Sequence, residues 1–127
     1  MTEAEKRKIA TTFIEGLRRQ DANLLSGIMT PDVIWSIPGS AIVSGEARGV
    51  KSIIERATHF ADFSLKIDIL YVVVGFSGVA LVLHNTGTHN GKILDEHLTT
   101  VIQLDGAKIK RLDTYISDIP MLNEYFA

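Results

Sequence analysis

Beyond Leu65 the apolar residues stop recurring every three or four positions and begin to recur every second one, for about fifty residues. A run of that length exceeds any single strand, since strands seldom pass about ten residues, so it must fold back on itself as one sheet. Its corners are marked. Gly75-Phe76-Ser77-Gly78 separates Leu65–Val74 from Val79–Thr86. Asn90-Gly91 is the strongest hairpin signal in the chain, because both central residues of a type I′ turn need positive φ. Lys92–Leu104 then forms a long strand, Asp105-Gly106-Ala107 turns, and Lys108–Ser117 is the last strand. The spacing predicts a four-strand meander.

The residues before it are mostly helical. Thr2 and Glu5 match a capping box, and Ile9, Ala10, Phe13, Ile14 and Leu17 make one apolar stripe. Asp21 caps a short helix, Ala22 to Met29, which Thr30-Pro31 ends. Val33–Ile37 reads as a strand stopped by Pro38-Gly39. A small-residue loop, Ser40 to Gly49, holds glycines that suit either a lid or a plain surface loop. A third helix from Val50 carries Ile53, Ile54, Ala57 and Phe60, and Met121 to Phe126 adds a helical tail. No repeat or linker interrupts the chain, so residues 1–127 are expected to be a single α+β domain. A curved antiparallel sheet wrapped around the N-terminal helices would leave a cone with a pocket inside.

Composition removes whole classes of function. Thirteen Lys and Arg against fifteen Asp and Glu give a net charge of −2, which speaks against a nucleic-acid or polybasic membrane surface. No cysteine is present, which removes disulfides, thiolate-bound metals and thiol nucleophiles. Neither a signal peptide nor an apolar run of about 20 residues appears, so a cytoplasmic protein is expected. Gly75-Phe76-Ser77-Gly78 precedes no helix and is not a phosphate cradle.

Turn geometry assigns the faces of the sheet. A two-residue Asn90-Gly91 loop pairs His89 with Lys92, which sets Asn85 opposite Glu96, Leu83 opposite Leu98 and Leu81 opposite Thr100. Pairing Val74 with Val79 sets Asp68 opposite Asn85. One face then carries Leu70, Val72, Leu81, Leu83, Leu98 and Ile102, with Asp68, Asn85 and Glu96 as a polar row at one end. The other carries Tyr71, Val82, His84, His97, Thr99 and Val101. Because this outer face is also substantially apolar, a homodimer through it is expected. For the last strand, a three-residue loop at Asp105-Gly106-Ala107 would turn Leu112, Thr114 and Ile116 into the pocket. A tight Asp-Gly turn would place Arg111, Asp113 and Tyr115 there instead.

Three groups of residues stand out together: Leu24…Met29-Thr30-Pro31-Asp32-Val33-Ile34-Trp35, then Ile37-Pro38-Gly39…Ser44-Gly45…Arg48-Gly49, then Asp105-Gly106-Ala107-Lys108-Ile109 leading into Thr114-Tyr115-Ile116-Ser117-Asp118. In this combination they resemble the nuclear transport factor 2-like superfamily, in its SnoaL-like and ketosteroid-isomerase-like branch. The resemblance implies a cone-shaped (cystatin-like) pocket, commonly in a homodimer, and leaves function open among isomerases, cyclases, dehydratases, hydrolases and non-catalytic binders. It also implies where the chemistry of known members would sit. The base of ketosteroid isomerase falls on Ile37, which cannot take a proton, and that enzyme's second acid falls near Thr99 or Thr100. The last-strand acid of limonene-epoxide hydrolase, similar through Val101-Ile102-Gln103-Leu104…Lys108-Ile109, falls on Thr114. Neither borrowed mechanism survives these substitutions.

What remains for catalysis is Asp68, Asn85 and Glu96, two carboxylates flanking an amide, which divide acid and base roles if buried and need nothing but solvent if they stand at the rim. Glu96 alone would serve proton transfer on a bound ketone or enol. Phe13, Leu17, Trp35 and Ile37 are expected to wall an apolar cavity with Leu83, Leu98, Thr100, Leu112, Thr114 and Ile116. If the faces were inverted, His84, His97, Asp113 and Tyr115 would be the functional cluster. His84 and His97 as cross-strand neighbours lack a third ligand at suitable spacing, so no metal is expected. His59 and His89 read as surface residues, and Arg48 as a partner for Glu46. The expected ligand is a small apolar oxygenated molecule, handled by acid–base chemistry with no cofactor. The competing expectation is a non-catalytic binding or assembly module. An enclosed cavity of about 300 Å³ with convergent polar groups would favour the first, and a cavity filled by Trp35, Phe13 and leucines the second.

Overall fold

The computed structural model describes residues 1–127. Helix α1 (Glu3–Arg19) starts at the capping box: Thr2 Oγ1 accepts from the Glu5 amide at 3.1 Å, and Glu5 Oε1 accepts from the Thr2 amide at 3.3 Å. Its stripe, Ile9 to Leu17, is buried against the concave side of the sheet. Three cations tie it there, among them Arg7, whose Nη1 donates to the Val72 carbonyl at 2.9 Å. Lys6 Nζ donates to the carbonyls of Gly75 and Phe76, each at 2.8 Å, and Arg18 Nη2 donates to the Ile67 carbonyl at 2.6 Å. Helix α2 (Ala22–Gly27) is capped by Asp21 and packs so closely on α1 that a Cβ at Gly16 would stand 2.6 Å from Leu25.

The remaining elements are β1 (Met29–Ile37), β2 (Gly45–Arg48), α3 (Val50–Asp62), β3 (Lys66–Val74), β4 (Gly78–His89), β5 (Lys92–Asp105), β6 (Lys108–Ile116) and α4 (Ile119–Tyr125). They build one six-stranded sheet in the order β2-β1-β6-β5-β4-β3. The expected α+β cone and meander are present, and no helix is long and apolar enough to cross a membrane. Asn90 and Gly91 have φ of 50° and 78°, and the β4–β5 register runs from His89–Lys92 through Asn85–Glu96 to Leu81–Thr100 as expected.

Four local expectations need correction. The second helix ends at Gly27 rather than Met29, because Met29 already pairs with Ile109 as the start of β1. The sheet is not wholly antiparallel, since β1 lies parallel to β6, and its pairing is interrupted where Pro31 has no amide to give. The stretch expected to be a lid or a surface loop contains a strand. β2 pairs with β1 from Ile34–Arg48 to Ile37–Gly45, and the positive φ of Gly45 and Gly49 turns the chain in and out of it. With Val43 fully buried as well, this segment is pinned.

The fourth correction decides the site. A bulge at Leu70 shifts β3 against β4, so Val72 faces Leu81 as expected but Ile67, not Asp68, stands opposite Asn85. Ile67 and Ile69 turn inward, Leu70 is exposed, and Asp68 pairs across from His84 on the outer face. The bulge has a physical reason: it buries two isoleucines and leaves a carboxylate in water, whereas the unbroken ladder would do the reverse. A second bulge, at Lys110, follows a two-residue Gly106-Ala107 turn. Together they bring Leu112, Thr114 and Ile116 inward, the face expected of a three-residue loop, reached by another route.

Candidate functional site

Between α1, α3, α4 and the concave sheet face lies an apolar hollow. Every residue expected to wall it does so, from Phe13 and Trp35 to Thr114 and Ile116, except Leu112, which is fully buried in the core beside it. The sheet supplies the wall because each strand alternates cleanly here: Leu94, Glu96, Leu98, Thr100 and Ile102 point in from β5. Phe13, Trp35 and Phe60 make a line of edge-to-face contacts, with centroids 5.2 and 5.8 Å apart.

The free space at the centre of the hollow is about 30 Å³, enough for a water or two when one needs about 10–15 Å³. Counting the crevices and the mouth that opens to solvent, the same region amounts to about 460 Å³. The smaller figure sets what fits in this conformation. It falls short of the enclosed cavity of about 300 Å³ expected for a ligand-sized site.

Two of the polar side chains that face this apolar space, one on β4 and one on β5, have oxygens left without a partner. Asn85 and Glu96 are cross-strand partners, 7% and 2% exposed. Asn85 Oδ1 and Glu96 Oε2 have no hydrogen-bond partner in the protein. Burial pushes the Glu96 carboxyl up to about 7, and the negative charge of Asp118, the N-cap of α4, pushes the same way. A carboxyl in that position exchanges a proton near neutrality and has a free oxygen with which to do so. Asp68 does not join them. It is half-exposed beside Lys66, 3.9 Å away, so the expected row of three is a pair.

The inverted cluster is not assembled. His84 and His97 stack face to face on the outer side, centroids 4.5 Å apart, with His84 Nε2 at 2.6 Å from Asp95 Oδ1. Asp113 is held elsewhere by Arg111 and by the Ser36 hydroxyl, and Tyr115 is exposed. No three His, Asp or Glu side chains converge to hold a metal ion. Arg48 does meet Glu46, at 2.5 Å.

Two contributors were not foreseen from the sequence. Arg56 of α3 is buried, donating to the carbonyls of Trp35 at 2.8 Å and Gly45 at 3.0 Å, with its guanidinium 5.2 Å from the centre of the Trp35 ring. Burial lowers it to about 10. Helix α4 closes the hollow with Leu122 and Phe126. Its fit depends on two glycines: a Cβ at Gly39 would stand 2.6 Å from Asn123 Oδ1, and one at Gly87 would collide with the Tyr125 hydroxyl, which donates to the Phe63 carbonyl. The signal for α4 was present, an Asp118 cap with Pro120 behind it and Leu122 and Phe126 four apart. That it would cover the mouth was not.

No protein-family model matches the chain, and no curated protein matches it in sequence. Solved structures do. A nuclear transport factor 2-like protein from Burkholderia xenovorans superposes with a TM-score of 0.86 at 21% identity, covering 100% of this chain and 99% of that one. A protein of unknown function with a cystatin-like fold from Xanthomonas campestris gives 0.85 at 22% identity, covering 96% and 98%. A SnoaL-like protein from Jannaschia, provisionally assigned as a polyketide cyclase, gives 0.70 at 12% identity, covering 92% and 90%. At these identities what is shared is the fold, and the fold is nuclear transport factor 2-like.

Proposed function

We propose that the chain binds an apolar, oxygenated small molecule in this hollow and that Glu96 moves a proton on it. The observation that carries the reading is the Asn85–Glu96 pair: two buried side chains, each with an unpartnered oxygen, aimed into an apolar space. Unpaired buried polar atoms cost about 1–3 kcal/mol each, so they persist in a fold where they serve something. The likeness in fold to a SnoaL-like protein provisionally assigned as a polyketide cyclase agrees with ketone-like ligands.

The step is a proton transfer that needs no cofactor. Ionised Glu96 takes a proton from the carbon beside a carbonyl; the C–H pair becomes the C=C bond of an enolate and the C=O π pair moves onto the oxygen. The neutral acid then returns the proton as the pair on oxygen re-forms the carbonyl, to that carbon, which exchanges its hydrogen, or to a conjugated one, which completes an isomerisation. An acid ionising near 7 suits both halves. A second copy of the chain on the outer sheet face is part of the same proposal, since Tyr71 and Tyr115 are 67% and 66% exposed there beside Val73 and Val101.

The narrow free space favours a second reading, a binding or assembly module whose hollow is packing. Thermal shift against cyclic ketones, followed by deuterium uptake at their α-carbons in heavy water, separates the two. Ligand at a hundred times its dissociation constant should stabilise the fold by about 2.7 kcal/mol. Glu96→Gln should then bind and lose the exchange by a hundredfold or more. Exchange at an unchanged rate in Glu96→Gln removes the proton-transfer role, and no shift with any ketone leaves the module.

A further inference from the structure

At the opposite end of the hollow stands a second polar group. Thr100 lies four positions along β5 from Glu96, about 13 Å at the rise of a strand, and faces the same space. Its Oγ1 is 2.8 Å from Thr114 Oγ1 across the β5–β6 pair, and Thr114 Oγ1 accepts from Trp35 Nε1 at 2.9 Å. All three side chains are buried.

The hydrogens can be counted. An indole and two hydroxyls supply three, and the two bonds of the chain use two of them. If Thr114 donates to Thr100, the Thr100 hydrogen is left over; if Thr100 donates, the Thr114 hydrogen is. Neither hydroxyl makes any further bond within the protein, and both line the hollow. Either arrangement therefore presents one O–H donor to an apolar space.

The other face of the chain strengthens that donor. Arg56 sits against the Trp35 ring with its charge met by backbone carbonyls rather than a carboxylate. A cation on the indole face makes its N–H a better donor, and bonds in series polarise one another. We infer that Thr100 and Thr114 form a recognition point for an acceptor oxygen distinct from the carbonyl on which Glu96 acts, which makes the ligand an apolar molecule oxygenated at both ends, one oxygen taken by the threonine pair and the C–H beside the other's carbonyl facing Glu96. This rests on the hollow being a ligand site and deepens that reading: one end offers a donor, the other a proton-exchanging acid, and a molecule meeting both carries several bonds of apolar framework between them. Such a molecule enters only if Leu122 and Phe126 give way.

Trp35 is the only tryptophan, so its indole N–H is a single resonance at the recognition point. The test titrates that resonance with cyclohexanone and with methylenecyclohexane, rings that differ in the acceptor oxygen. The ketone should move the indole hydrogen downfield and the hydrocarbon should not. Thr100→Val should keep the ratio of ketone to hydrocarbon affinity, because Thr114 retains the Trp35 bond and its own hydrogen becomes the free one. The double variant Thr100→Val/Thr114→Val should lower that ratio about tenfold, the worth of one buried hydrogen bond. An unchanged ratio in the double variant overturns the inference while leaving the hollow a ligand site. So does a native protein in which both rings bind and move the indole hydrogen alike. Failure of both rings to bind overturns the ligand site and the recognition point together.

Discussion

Glu96 is the residue on which most depends, and its environment makes a prediction about pH. Its carboxyl ionises near 7 when folded, against 4.5 as the ordinary value. The unfolded chain therefore releases this proton first, and stability contributed by the neutral acid is full below about pH 4.5 and lost as pH rises through 7. The loss is on the order of 3 kcal/mol once the carboxylate must be buried ionised. Denaturant midpoints between pH 5 and 8 should fall for the native chain, and Glu96→Gln should remove that slope and be the more stable protein at pH 8. A parallel slope in both would place the titrating group elsewhere. At this scale the sequence was a good guide: the Asn90-Gly91 turn fixed the inward sense of Asn85 and Glu96 because a type I′ hairpin leaves no freedom of register. It misplaced Asp68, since one inserted residue at Leu70 reverses every side chain before it. The clue was there, in the change of phase between Ile67-Asp68-Ile69 and Val72.

The elements make the β3 bulge and the α4 cover testable. Ile67→Ala should cost about 2–4 kcal/mol as a core truncation, while Asp68→Asn should stay within about 0.5 kcal/mol. Equal costs would mean that the ladder runs unbroken. Gly87→Ala should push Tyr125 from its place and free α4, at a cost of about 1–3 kcal/mol for an overpacked contact. Amide exchange over Ile119–Tyr125 should then quicken while β4 and β5 keep their protection. Uniform loss of protection would show that α4 is integral to the sheet rather than laid on it. A short tail reads from sequence as a helix by its cap and spacing, but its target depends on the cleared space at Gly39 and Gly87, far back along the chain.

The whole molecule presents an inner face that is closed and an outer face that is not. Tyr71, Val73, Val101 and Tyr115 form an apolar outer surface around the stacked His84 and His97. Sedimentation equilibrium should find a dimer, and Tyr71→Lys with Tyr115→Lys should return the monomer with its fold intact. A native chain that sediments as a monomer removes the second copy from the proposal. Periodicity, turn chemistry and charge by themselves determined the order of elements, the meander, the apolar stripe of α1 and the inward pair at Asn85 and Glu96, because each follows from forces acting between residues near in sequence or joined by a tight turn. Only the tertiary structure decided the parallel pairing of β1 with β6, the two bulges, the buried Arg56 behind Trp35 and the closing of the hollow by α4. Those features balance burial against hydrogen bonding between segments far apart in the chain, and that balance is struck when the segments meet.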